Sequence, residues 1–98
     1  SGETVYSAVK GAQNSFVKAY AKEVAYNGIR VNAIAPGIIE TEMNNHLDED
    51  EKAMILDEIP LNRYGSPEEV ANLTSFVMSG KADYMTGQIL RINGGWYI

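Results

Sequence analysis

Tyr6 and Lys10 stand four residues apart near the start of the sequence, the spacing that sets two side chains on one face of a helix. A phenol is a weak acid, with an unperturbed pKa of about 10. An ammonium beside it favours the phenolate and makes the hydroxyl a usable proton donor. That donor suits a carbonyl oxygen, which must gain a proton when hydride reaches its carbon. Taken alone, Y-x-x-x-K is a weak signal, because it also describes a solvated pair on a helix worth about 0.2–0.5 kcal/mol.

Pro36-Gly37, taken by itself, reads as a strand-ending turn. His46 is the only histidine, beside Asn44, Asn45 and the acidic run Asp48-Glu49-Asp50-Glu51. It reads as solvated surface, and no metal site is expected. The absence of cysteine excludes disulfides and thiolate–metal sites, which fits a reducing compartment.

The elements that must position these residues follow from periodicity. Val5, Val9, Ala12, Phe16, Tyr20 and Val24 recur in steps of four and three, one stripe of an amphipathic helix ending at Asn27-Gly28. Ile29-Arg30-Val31-Asn32-Ala33-Ile34-Ala35 predicts a strand covered on both faces and stopped by Pro36-Gly37. Residues 38–45 look irregular. Asp48 with Glu51 opens a short helix that Pro60 stops. Ser66, Pro67 and Glu69 form a clearer capping box ahead of Val70, Leu73 and Val77, with Gly80 as the helix end. Residues 88–93 read as a final strand.

The order helix–strand–helix–helix–strand implies a parallel pair with a right-handed helical crossover, an α/β arrangement. Two strands are too few for an independent sheet, so the chain reads as one end of a larger doubly wound fold. In bulk, 98 residues, 45% hydrophobic and 21% charged, fit one small domain. A net charge of −5 without any Lys/Arg cluster argues against nucleic acid. No apolar run approaches the roughly 20 residues that span a bilayer, and no signal peptide is visible. A cytoplasmic location is the default expectation.

Tyr6-Ser7-Ala8-Val9-Lys10-Gly11-Ala12, then Gly28-Ile29-Arg30-Val31-Asn32-Ala33-Ile34-Ala35-Pro36-Gly37 with Ile39 and Thr41, resembles the short-chain dehydrogenase/reductase family. Arg63-Tyr64-Gly65-Ser66-Pro67-Glu68-Glu69-Val70-Ala71, Thr86-Gly87-Gln88 and Asn93-Gly94-Gly95 match its closing segments, so the likeness covers essentially the whole chain. It is most similar to the bacterial 3-oxoacyl-[acyl-carrier-protein] reductases of fatty acid biosynthesis.

The resemblance implies the C-terminal portion of a Rossmann-type doubly wound parallel sheet, residues 1–98 forming a partial domain without the dinucleotide-binding half. It makes Tyr6 the general acid and Lys10 the residue that lowers its pKa and bonds the nicotinamide ribose. Pro36, Gly37, Ile39 and Thr41 would lie beside the nicotinamide. The cofactor implied is NADP(H), with NAD(H) open because the selector residue is missing. The substrate implied is a ketone or acyl-carrier-protein thioester. Enoyl reductases of the superfamily space their Tyr and Lys more widely, which favours a ketone reductase.

The family's glycine-rich phosphate-binding turn and its catalytic Ser are not in the sequence; Ser1 and Ser7 are too close to Tyr6 to serve. The chain is therefore expected to be cut just before its catalytic Tyr, inactive alone, and either a homo-oligomer or paired with a missing N-terminal fragment. Met43, Leu47, Met54 and Ile55 would touch an acyl chain or simply pack. Trp96-Tyr97-Ile98 would lie in a subunit interface or in the core. A non-catalytic interaction module or pseudoenzyme is the alternative.

Overall fold

A computed structural model describes residues 2–97, apart from the side chain of Met43; Ser1 and Ile98 lie outside the described residues. The order is α1 (Gly2–Ala25), β1 (Ala33–Pro36), a 3-10 helix (Glu42–His46), α2 (Glu49–Glu58), α3 (Pro67–Met78), a 3-10 turn (Gly80–Ala82) and β2 (Ile89–Ile92). β1 and β2 form a two-stranded sheet. Ala33 N–H donates to Gln88 C=O and Gly37 N–H to Ile92 C=O, both at 2.9 Å, so the register advances in one direction and the pair is parallel. The α/β order is the one the sequence implies. Packing resolves two compact units, Ser1–Ile34 with Val77–Leu90 and Ala35–Phe76 with Arg91–Ile98.

In the first unit, α1 ends as its sequence predicts. Gly28 takes φ +75°, with Ile29 N–H bonded to Val24 C=O and Gly28 N–H to Ala25 C=O, which closes a Schellman motif. The apolar stripe behaves differently from expectation. Val5, Val9, Phe16 and Tyr20 are exposed, Val5 by 64% and Phe16 by 63%. The face turned inward carries Val17 and Ala21 together with Val24, the one residue it shares with that stripe, and Ala21 is only 2% exposed. At about 100° per residue, that face is roughly a third of the circumference from the stripe. The small Ala21 allows it: a Cβ on Gly87 would stand 3.5 Å from the Ala21 Cβ. Phe16 and Tyr20 stack on the outside, ring centroids 5.5 Å apart.

Regular strand pairing begins at Ala33, four residues later than the sequence predicts. Gly87 takes φ +73° opposite the expected start and breaks the pleat. Side chains then supply what a ladder would. Val31 N–H donates to Thr86 Oγ1, Asn32 Nδ2 donates to Met85 C=O, and Gln88 N–H donates to Asn32 Oδ1. Arg30, an odd residue for an apolar strand, donates to the C=O groups of Val77 and Met85, covering a carbonyl at the end of α3. Gly80 does not end α3. That helix stops at Met78, and Ser79 Oγ accepts Lys81 N–H to cap the next turn.

In the second unit both capping boxes form as read. Asp48 accepts Glu51 N–H while Glu51 accepts Asp48 N–H, and Ser66 and Glu69 do the same. Residues 42–46, expected to be irregular, make a 3-10 helix. After β2 the chain turns through Gly94 and Gly95, at φ +64° and +90°, against Ile59, Pro60 and Leu61. A Cβ on Gly94 would meet Ile59 Cγ2 at 2.9 Å, so only glycine fits both the conformation and the space. Trp96 stacks on Tyr97, centroids 4.4 Å apart.

Among the described residues, the buried hydrophobic set is Ala21, Ile59, Val77 and Ala82. Such a core is small beside the apolar stripe left exposed on α1, and an uncovered apolar patch favours association. The chain is expected to elute with a mass at least twice its own in size-exclusion chromatography with light scattering at micromolar concentration. Phe16→Glu should weaken that association at least tenfold, since burying a phenylalanine contributes about 1.5–3 kcal/mol. A stable wild-type monomer would refute the expectation.

Candidate functional site

In the first unit, α1 carries Tyr6 and Lys10. Counting back from Val24, Ala21 and Val17 in helical steps leads to Lys10 and Tyr6, so the face that packs at the C-terminal end presents this pair at the other. Lys10 Nζ stands 5.7 Å from the Tyr6 ring centroid, within cation–π range. Both side chains are exposed, Tyr6 by 64%. The structure therefore brings together the two residues that the sequence pairs.

In the second unit, the segment that leaves β1 carries the other candidate residues. Pro36 is exposed at the strand end. Gly37 is required by packing: a Cβ there would lie 2.7 Å from both Cα and Cβ of Asn93. Its N–H is committed to Ile92 C=O, so a free amide in this segment has to come from another residue.

Ile39 forms a parallel bridge with Gly65. Gly65 N–H donates to Ile38 C=O at 3.0 Å and Glu40 N–H donates to Gly65 C=O at 2.8 Å. That pattern turns the polar groups of Ile39 itself to the other side. Its C=O there accepts Asn44 Nδ2 at 2.9 Å, and its N–H makes no hydrogen bond among the described residues. Thr41 is exposed at the N-cap of the 3-10 helix and makes no capping bond with its side chain. An unused amide and an unused hydroxyl two residues apart fit a carboxamide, which offers an acceptor oxygen and a donor nitrogen. Asn44 and Gly65 were not legible as parts of this site, because neither role has a local signature.

Gly65 is held in turn by a clamp. Arg63 Nη1 and Nη2 donate to Glu69 Oε1 and Oε2 at 2.8 and 2.9 Å, a bidentate pair. Glu69 Oε1 also accepts Ser66 N–H at 3.0 Å. The Arg63 hydrogen bond, followed by the one from Ser66, pulls the Glu69 carboxyl down to about 2. Of the residues considered for an acyl chain, Leu47 and Ile55 are half-buried and Met54 is exposed, while the Met43 side chain is outside the described residues.

A family model described as enoyl-(acyl carrier protein) reductase matches residues 1–97. The chain is 56% identical over 95 residues to an uncharacterized oxidoreductase of Bacillus subtilis, covering 97% of this chain and 39% of that protein. It is 44% identical to the 3-oxoacyl-[acyl-carrier-protein] reductase of Escherichia coli over 99% of this chain and 40% of the enzyme. The crystal structure of a 3-oxoacyl-[acyl-carrier protein] reductase from Brucella melitensis superposes with a TM-score of 0.88 at 36% identity, over 95% of this chain and 35% of that one.

The chain belongs to the short-chain dehydrogenase/reductase family. Within it the likeness is to 3-oxoacyl-[acyl-carrier-protein] reductases, and the α/β architecture corresponds to part of their Rossmann-type fold. The chain spans about two-fifths of the length of these relatives. Among the described residues no helix is long and apolar enough to cross a membrane.

The lowered Glu69 carboxyl carries a pH dependence. A carboxylate whose folded pKa is depressed adds stability above its unfolded pKa and loses it as pH falls through the folded value. The contribution of Glu69 should therefore fade between pH 4.5 and about 2. Carboxyl NMR should place its midpoint near the lower figure, and Glu69→Gln should remove this part of the acid sensitivity. A midpoint in the ordinary carboxylate range would contradict the clamp.

Proposed function

We propose that this chain supplies the proton donor and the nicotinamide side of an NADP(H)-dependent ketone reductase acting on 3-oxoacyl thioesters. The observation that carries the reading is the pairing of Tyr6 and Lys10 on the one face of α1 that is fixed by packing further along. The 3-oxoacyl-[acyl-carrier-protein] reductases among its relatives support the substrate class.

Bound, the dinucleotide would supply hydride. Tyr6 would hold the substrate carbonyl oxygen and give up its hydroxyl proton to it, so that C=O becomes CH–OH. Lys10, as a cation one turn away, would stabilise the phenolate left behind and donate to the nicotinamide ribose. Ile39 N–H and Thr41 Oγ1 would hold the carboxamide, with Pro36 and Gly37 forming the backbone beside it. The pyrophosphate needs amides of the kind a glycine-rich turn supplies. The chain spans about two-fifths of the length of its relatives, and the reading places that turn in the rest of a larger subunit.

A second reading has a specific source. The matching family model is described as an enoyl reductase, whose product gains hydrogen at a carbon rather than at a carbonyl oxygen. Parallel assays on acetoacetyl and crotonyl thioesters separate the two; turnover of the crotonyl compound alone would favour it.

In the complete subunit, Tyr6→Phe should lower kcat about 10²–10⁴-fold, the range of a general acid, while circular dichroism stays unchanged. Near wild-type turnover would end the assignment. The isolated 98-residue chain should show no NADPH binding by fluorescence titration and no reductase turnover. Either activity in protein free of other reductases would show that the missing turn is dispensable.

A further inference from the structure

We infer that Arg63 and Glu69 are positioning residues for the cofactor, acting through Gly65 to set the direction of the Ile39 amide. The inference rests on the proposed nicotinamide role of Ile39. Each link in the chain of contacts is short. Arg63 grips Glu69 through both guanidinium nitrogens, and its Nη1 also donates to Tyr64 C=O at 3.1 Å. Glu69 takes Ser66 N–H, and Ser66 Oγ takes Glu69 N–H, so residues 63–66 are closed onto the first turn of α3. Gly65 sits inside that closed loop and is the sole partner in the bridge to Ile39. Its N–H and C=O bond the residues on either side of Ile39 and thereby point the Ile39 N–H outward. Arg63 and Glu69 also line the same small cavity as Ile38, Ile39 and Gly65, so the clamp and the loop are neighbours.

The energetics separate this role from general stabilisation. The Arg63–Glu69 pair is exposed, and an exposed ion pair adds little to global stability. Its fixed two-point geometry still restricts where the 63–66 loop can lie. Losing it should loosen the Ile39–Gly65 bridge while leaving the helices in place.

The test has two arms. In the complete subunit, hydrogen exchange of the Gly65 and Glu40 amides should accelerate about tenfold in Glu69→Gln, the order expected for loss of a charge-assisted hydrogen bond. Glu68→Gln, on the adjacent carboxylate, should leave both amides unchanged. In the complete subunit, NADPH titrated by fluorescence should bind about five- to tenfold more weakly to Glu69→Gln, with KM for NADPH rising and kcat within about twofold. Arg63→Lys, which keeps one charged bond but not the fork, should fall between the two. Unchanged exchange at Gly65 and Glu40 would overturn the positioning role whatever the enzyme does. Faster exchange with unaltered NADPH affinity would overturn its link to the cofactor. If the wild-type subunit binds no NADPH, the proposed function falls and takes this inference with it. The exchange arm would still report whether the clamp holds the loop.

Discussion

The parallel pairing of β1 with β2 is the constraint from which the loop chemistry follows. It commits Gly37 N–H to Ile92 C=O and brings Gly37 so close to Asn93 that no Cβ fits between them. The chain therefore leaves the sheet at a defined point, and Gly65 takes up the residues beyond it. Backbone pairing uses the amide of residue 37 with Ile92 and that of residue 40 with Gly65, and the Ile39 amide is left without a bond among the described residues. An unpaired N–H is costly in a folded chain unless something meets it. Here that cost coincides with a usable donor beside the Thr41 hydroxyl.

α1 solves a different problem, that of aiming two side chains from a distance. From Ala21 to Tyr6 is fifteen residues, about 22 Å of helix at 1.5 Å per residue. Packing at Ala21 sets the rotation of the whole rod, and Tyr6 and Lys10 inherit it. The Schellman closure at Gly28 fixes where the rod ends. A pair so placed needs few contacts of its own, which agrees with the exposure of both residues.

The glycines divide along the same lines. Gly28 and Gly87 are there for positive φ, Gly94 for positive φ and space together, and Gly37 for space alone, against the backbone of Asn93. A motif that mixes the two kinds is read from sequence as one feature, although a substitution would fail for different reasons at each.

By itself the sequence determined what depends on neighbours within about one turn: the Tyr6–Lys10 pair, both capping boxes, the glycine stop at Gly28 and the order of elements. Those signals rest on i, i+3 and i+4 geometry, which the chain carries wherever it goes. Tertiary structure alone decided that strand pairing starts at Ala33, that Ala21 rather than Phe16 faces inward, and which residue of the 36–41 segment keeps a free amide. Each of these is settled by a partner far away in sequence: Gly87 opposite Val31 and Ala21, Ile92 and Asn93 opposite Gly37, Gly65 opposite Ile39. Periodicity reports that a helix has an apolar face; only the shape of what it meets decides which face is covered.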